Sequence, residues 1–410
     1  MTTAPSAAGS TASAPSSAGS AAPGLSMPGL SVPGSSAPDP SAPNPSTPSL
    51  SGPGRATAGT TVVVGAGLIG ASVGLALTAA GHRVHLADRA LSHARVAAGL
   101  GAGSLEPAEP AAVALVVVAV PPAVIAEVVL SSLERYPRAT VTDVGSVKAG
   151  VLDTLWRHEV DLGRYVGSHP MAGSQHSGPL TARADLFDSR TWVVTPHRRS
   201  RPASVAQVEA LVQACRARLV VMDVDDHDAA VARVSHLPHL MSVLMAGHLT
   251  EVPSADLVLA GQGLRDVTRI AGGDPALWRQ ILDANAAAVL AELRSVAGEL
   301  DTLIRAVESG PGSAELTQRL ARGVAGTRRI PGKHGTTAVS YRQVVVEIPD
   351  TPGALGRLFA EVGEAGVNVE DIAIEHDQAR QIGYLALSVA PERADELVAA
   401  MLAGGWSLGG

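Results

Sequence analysis

Cysteine, aromatic rings and clustered positive charge are all scarce in this 410-residue sequence, and each shortage removes a class of function. A single cysteine, Cys215, allows no intramolecular disulfide and no thiolate metal site, which agrees with a reducing cytoplasm. The formal net charge is -7 and no block of Lys and Arg stands out, so the basic face that nucleic acid or an anionic membrane requires is missing. The longest apolar run, AAVALVVVAV at 111–120, has the length of a strand and is too short to span a bilayer. Aromatic residues make up only 2% of the chain. What remains, 46% hydrophobic and 17% charged, supplies two or three cores of ordinary size, and a multi-domain protein with a small-molecule partner is the expectation.

Residues 1–58 are almost entirely Ala, Ser, Pro, Gly and Thr. Such a segment buries too little to offset its chain entropy and is expected to be a disordered tail. It lacks the basic start and apolar middle of a secretory signal, and no arginine precedes Arg55, which argues against a transit peptide.

Order begins with TTVVVGAGLIGASVGLALTAAGHRVHLADR. A β-branched run, Thr61 to Val64, leads into Gly65, Gly67 and Gly70 with G-x-G-x-x-G spacing, and an Ala/Leu-rich helix follows, with Gly81 as a plausible C-terminal stop. The first glycine permits a tight turn, the second lets backbone approach a pyrophosphate, and the third lets helix and strand pack closely. The amides around Leu68 and Ile69 then face the anion. A second strand ends at Asp88, where an acid can bond the ribose 2′-hydroxyl of NAD and repel the 2′-phosphate of NADP; Arg89 beside it is a mild counter-signal. Further strands and helices alternate through AVALVVVAV, PPAVIAEVVLSSL and ATVTDVGSVKAGVLDTL, predicting a parallel sheet of Rossmann type with its ligands beyond the carboxyl ends of the strands. Two stretches fall at such ends: DVGSVK, residues 143–148, and the segment around His169 in VGSHPMAGSQHSGP.

These pieces predict an α/β dinucleotide-binding domain over 59–228. An all-α domain over 229–310 follows, in which Leu277, Ile281, Val289, Leu293, Val296, Leu300 and Leu303 form an apolar stripe that packs in part against a second copy of the chain, giving a homodimer. Residues 311–340, polar and glycine-containing, are read as a linker. Residues 341–410 read as strand, turn, helix, strand, strand, helix, a small α+β unit.

GAGLIG, DVGSVK, SHPMAG, SHLPH and GLRDVTRIAGGDPALWRQI, in that order, resemble the prephenate/arogenate dehydrogenases of tyrosine biosynthesis across residues 60 to about 310. The resemblance implies oxidative decarboxylation of prephenate with NAD, on a nucleotide domain followed by a helical, dimerising domain. A histidine titrating near about 6.5 suits the removal of a hydroxyl proton during oxidation, and by resemblance His169 is that histidine. Ser146 matches the serine that orients it, although an N-cap reading fits GSVK as well. Prephenate carries two carboxylates, which calls for arginine. Arg269 matches the family's substrate arginine, while Arg265, on the same helical face, reads either as a second cation or as a surface charge. By resemblance Asp266 fixes the arginine, Trp278 walls the site and His239 donates to the substrate. His236 reads as structural. Two imidazoles three apart also suit a metal, but no acids or cysteines join them, and no metal is expected. Lys148 has a weaker claim and reads equally as a solvated lysine.

Many relatives carry an acid where this chain has Gln175, and a neutral amide there favours the keto group of prephenate over the ammonium of arogenate. DTPGALGRL and the strand order after 341 resemble an ACT domain, with a βαββαβ order; that resemblance implies an amino-acid effector such as tyrosine at Asp350, Gly353, Ala354 and Asn368. The competing readings are an arogenate dehydrogenase, a β-hydroxyacid dehydrogenase, whose usual lysine–asparagine pairing is not found, and an NAD-sensing regulatory protein without turnover.

Overall fold

The computed structural model describes residues 59–173, 178–330, 341–377 and 382–409. The tail at 1–58 and Gln175 both lie outside the described residues.

Four parallel strands form the first sheet: β1 (Thr60–Val64), β2 (Val84–Ala87), β3 (Val113–Val118) and β4 (Thr140–Asp143), in the order β2-β1-β3-β4. The Val-rich sequences of the two inner strands, β1 and β3, follow from burial on both faces, since helices cover each side. Helix α1 (Leu68–Ala79) joins β1 to β2, α2 (Leu91–Gly99) follows β2, α3 (Ile125–Arg135) joins β3 to β4, and α4 (Ala149–Trp156) follows β4. Two apolar clusters flank the sheet, one containing Val63, Leu77, Val117 and Trp192, the other Val62, Val116, Ile125 and Leu155. This is a Rossmann-like arrangement. Helix α1 stops where Gly81 takes a φ of 85°.

The alternation does not continue as one parallel sheet. A separate three-stranded sheet holds β5 (Gly167–Pro170), β6 (Thr191–Thr195) and β7 (Arg218–Val221), with β5 antiparallel to β6, and α5 (Pro202–Ala214) crossing from β6 to β7. It meets the first sheet through the parallel bridge Val141–Tyr165, where the Val166 amide donates to the Val141 carbonyl at 3.0 Å. That bridge sets His169 in β5 next to the end of β4.

The helical part begins inside the expected nucleotide domain: α6 (Val224–Val231) spans the anticipated boundary at 228/229. It runs through a π turn, Ala232–His236, into α7 (Leu237–His248) without interruption. Pro238 has no amide to donate within the first turn of α7, and the Leu237 amide reaches back five residues to the Ala232 carbonyl. The short helices α8 (Ser254–Leu257) and α9 (Gln262–Thr268) precede α10 (Pro275–Ala284) and the long α11 (Ala286–Glu308). The apolar stripe is therefore shared by two helices that part at Asn285. Ile281 and Val289 are buried, whereas Leu277, Leu300 and Leu303 stand exposed in the single chain.

The expected linker is corrected by helix α12 (Ala314–Thr327), capped by the Ser313 hydroxyl, which accepts from the Leu316 amide. Arg319 and Arg322 both pair with Glu299 on α11, holding the two helices together. Glycines 323 and 326 disguised a helix whose opening turn is well formed.

The last unit is β8 (Arg342–Pro349), α13 (Ala354–Glu364), β9 (Val369–Asp377), β10 (Ile382–Val389), α14 (Pro391–Ala403) and β11 (Ser407–Leu408). Its antiparallel sheet has the order β11-β8-β10-β9, with a core of Val346, Leu358, Leu385, Leu397 and Trp406 under the two helices.

Candidate functional site

The glycine-rich turn shows why each glycine is there. A Cβ on Gly65, whose φ is 98°, would lie 2.3 Å from the Ala119 carbonyl oxygen, and one on Gly70 would lie 1.9 Å from the Gly65 oxygen. Both are required by the fold itself. Among the described residues, a Cβ on Gly67 would meet no atom within 4 Å. Space is thus left open at the start of α1, where Leu68 and Ile69 begin the helix with no capping side chain and no acid in its first turn. An uncapped N-terminus with positive dipole and open space fits an anion such as a pyrophosphate. Asp88 stands at the end of β2 and is anchored to the same loop: its carboxylate accepts from the Ala66 amide at 2.6 Å and the Ala90 amide at 2.7 Å. Arg89 is exposed.

His169 sits in β5, half-buried, with Nδ1 3.0 Å from Nε2 of His227. His227 is fully buried, and its Nδ1 lies 2.8 Å from Oδ1 of Asp228. Asp228, 4% exposed, also accepts from the Lys148 amide at 2.9 Å and the Ala149 amide at 2.8 Å. The N-terminus of α4 is therefore capped by a carboxylate from α6, and Ser146 is not its cap; Ser146 is half-buried in the loop leading to it. Burial pushes the pKa of His169 well below its ordinary value, and His227, Lys148 and His236 push it the same way. These effects favour the neutral ring, the form that can accept a proton.

Lys148 is not a solvated lysine. It is 1% exposed, and Nζ donates to Asp143 and, at 2.8 Å, to the Ser168 carbonyl next to His169. Asp143, 0% exposed, also accepts from Tyr165 Oη at 2.8 Å and from the Gly145 amide at 3.0 Å. The glycine at 167 makes room for the chain: a Cβ there would lie 3.1 Å from Lys148 Cδ. A buried ion pair with every partner in place costs little net, but removing one partner is severe.

Across from this network, His239 on α7 stacks on Trp278 of α10, ring centroids 3.5 Å apart and planes 6° from parallel. Gly273 leaves room for the indole: a Cβ there would lie 2.5 Å from Trp278 Nε1. Burial lowers the pKa of His239, opposed by a hydrogen bond to the Ile270 backbone, one residue beyond Arg269. Arg269 opens an exposed 3-10 turn. Asp266, also exposed, accepts from Gln262 at 2.9 Å. His236 is buried, 3.2 Å from Asn285 Nδ2, and burial lowers its pKa to about 4. Asn285 also donates to the Asp228 carbonyl at 2.8 Å. The Gln280 side chain accepts from the Ala123 amide, tying α10 to the loop after β3. The structure thus groups His169 with Lys148, Asp143, His227, Asp228, His236 and Asn285. It pairs His239 with Trp278, and it sets Arg269 beside the turn that His239 bonds. His227, Asp228 and Asn285 were not picked out by sequence reasoning; the His-Asp pair in VDDHDAAV, an acid beside an imidazole in a helix, was the available signal.

Two family models match: the nucleotide-binding domain of prephenate dehydrogenase over residues 73–221, and its dimerization domain over 223–322. The probable prephenate dehydrogenase NovF of Streptomyces niveus is 37% identical, over 83% of this chain and 96% of that relative. The chain belongs to the prephenate dehydrogenase family. Among solved structures, the prephenate dehydrogenase of A. aeolicus in complex with hydroxyphenyl propionate and NAD+ aligns with a TM-score of 0.60 and 25% identity, covering 66% of this chain and 97% of that one. The Synechocystis arogenate dehydrogenase aligns with a TM-score of 0.56 and 27% identity, covering 66% and 98%. Among the described residues, no helix of this family member is long and apolar enough to cross a membrane.

Replacing Lys148 by Met should leave Asp143 buried without its cation and cost about 3–5 kcal/mol of stability, read from urea unfolding of the full chain. A loss below about 1 kcal/mol, the range of a surface pair, would show that the pair is not buried as described.

Proposed function

We propose that this chain is an NAD-dependent prephenate dehydrogenase in which His169 takes the proton of the ring hydroxyl. The single observation that carries the role is the half-buried His169 held through Nδ1, with no protein partner at Nε2 among the described residues; burial favours its neutral form. NAD, when bound, supplies the two-electron acceptor. Gly65, Gly67, Leu68, Ile69 and Gly70 would cradle its pyrophosphate, and Asp88 would meet the ribose. The open space at Gly67 supports this reading, as does the A. aeolicus relative that was crystallised with NAD+.

The protein's own residues then bind, orient and hold the proton. Arg269 and His239 anchor the substrate, Trp278 fixes the plane of His239, and Asp266 helps shape the turn that carries the arginine. Ser146 orients the hydroxyl. As the O–H bond breaks and the proton passes to Nε2, the ring carbon loses its hydride; the ring carboxylate then leaves as carbon dioxide, the bonding pair it leaves behind makes the ring aromatic, and the oxygen, now a phenolate, takes the proton back from Nε2. Alignment and proton acceptance are the chief contributions of the chain. Prephenate is favoured over arogenate by the neutral Gln175 and by the activity named for the Streptomyces niveus relative.

We divide the chain into the nucleotide domain, a helical domain that continues through α12, and the C-terminal module. The helical domain pairs two chains as a homodimer, supported by the matched dimerization domain and by the exposed Leu244, Val258, Leu259, Leu300 and Leu320. The βαββαβ module is an ACT-like regulatory domain that takes tyrosine or a similar amino acid. Gly353, at φ 89°, starts α13 beside Asp350 and Ala354, and Asn368 immediately precedes β9.

His169→Asn should lower kcat for prephenate by about 10²–10⁴-fold, the range of a lost general base, in an assay of NADH formation run with prephenate and arogenate side by side. The wild-type kcat/KM should stay level as pH falls past 6.5, because the lowered pKa keeps His169 neutral there. An undiminished rate in the variant would remove His169 from the reaction. Asp350→Ala should raise the tyrosine concentration for half-inhibition at least tenfold; an unchanged value would place the effector elsewhere.

A further inference from the structure

Two groups, His227 and then Asp228, lie behind the proposed base His169, and the proposed reaction uses neither. His227 is fully buried, so its two ring nitrogens must find partners within the protein. They do: Nδ1 faces Asp228 at 2.8 Å and Nε2 faces His169 at 3.0 Å.

The order of donors along this line is fixed by its far end. The Asp228 carboxylate accepts from the backbone amides of Lys148 and Ala149, and an ionised carboxylate can only accept. Nδ1 of His227 therefore carries its proton, and a neutral His227 has an accepting Nε2. Nδ1 of His169 must in turn donate to it. A neutral His169 with its proton on Nδ1 keeps the lone pair on Nε2, the nitrogen turned away from this line.

We propose that Asp228 and His227 are positioning residues that lock His169 in the Nδ1-protonated tautomer, so that Nε2 is the nitrogen that takes the substrate proton. The proposal rests on the proposed role of His169. When the substrate O–H bond breaks and the Nε2–H bond forms, the new positive charge stays on His169, and no proton moves along the line. His227 answers with its accepting Nε2, and Asp228 faces that ring from behind. The same carboxylate pins the start of α4, so the base is set relative to the Ser146 loop and the end of β4. An orienting acid behind a histidine base is worth far more than its own hydrogen bond, because the wrong tautomer presents a proton where a lone pair is needed.

The test uses the full-length protein with 15N-labelled histidine. In the wild type without substrate, at pH 8, His169 should show a protonated Nδ1 and an unprotonated Nε2. Asp228→Asn can turn its oxygen to the α4 amides and its amide to His227, and should reverse both tautomers. Its kcat for prephenate should fall by about 10²–10⁴-fold with KM within threefold of wild type. His227→Leu should lose a similar factor, and His227→Gln, whose amide can donate to Asp228 and accept from His169, should recover at least tenfold over it. This pair leaves the α4 amide bonds of Asp228 in place, so it decides the matter even if Asp228→Asn folds poorly. A wild-type His169 protonated on Nε2, or a His227→Leu enzyme within threefold of wild-type kcat, would overturn the proposal. Should the wild type fail to oxidise prephenate, the proposed reaction falls, while the tautomer measurement still decides this inference because it needs no substrate.

Discussion

The Asp228 carboxylate joins parts of the chain that lie 80 residues apart in sequence. It accepts the first amides of α4, where the helix dipole is positive, and it faces the ring of His227. A carboxylate this deeply buried would be costly if any of its partners were missing. With all of them present, the nucleotide-binding half and the helical half are held in one relation at the point where His169 sits. Asn285 adds a second tie, since it bonds both the Asp228 carbonyl and His236. The start of α11 is thereby attached to the same node.

Charge around the base is balanced by a second buried pair. Lys148 would be a poor neighbour for a histidine that must become an imidazolium, but Asp143 neutralises it, and Tyr165 and the Gly145 amide complete the shell of that acid. The ammonium is also committed to the Ser168 carbonyl, which fixes β5 one residue before His169. Burial, more than any single charge, keeps the ring neutral. The site therefore sets a half-buried histidine against fully partnered buried groups, with stacked His239 and Trp278 supplying a flat wall on α7 and α10.

Local features were legible in the sequence because their causes are local. The turn at Gly65 to Gly70 needs its glycines for contacts within a few residues or with the neighbouring strand, and Asp88 follows at the end of the next strand, so spacing alone announces them. The first five elements after residue 341 were equally plain from alternating strand and helix patterns, whereas the short closing strand β11 came only with the ACT resemblance. Long-range polar partners were not. Lys148 reads as a surface lysine until Asp143, Gly167 and Ser168 are brought around it, and Asp228 looks like one acid among several in VDDHDAAV. The turn from β5 to an antiparallel β6 escaped for the same reason, since the alternation of strand and helix does not encode strand direction. Helix α12 was obscured by its glycines, although Ser313 announced its start.

The central claim is that Nε2 of His169 meets the reacting hydroxyl. A crystal structure of the full chain with NAD and hydroxyphenyl propionate tests it most directly. The account predicts the phenolic oxygen within about 2.6–3.2 Å of Nε2, with the propionate carboxylate toward Arg269 and Nδ1 still bonded to His227. A phenolic oxygen bound away from His169, or a His169 ring turned so that Nδ1 faces the ligand, would contradict it.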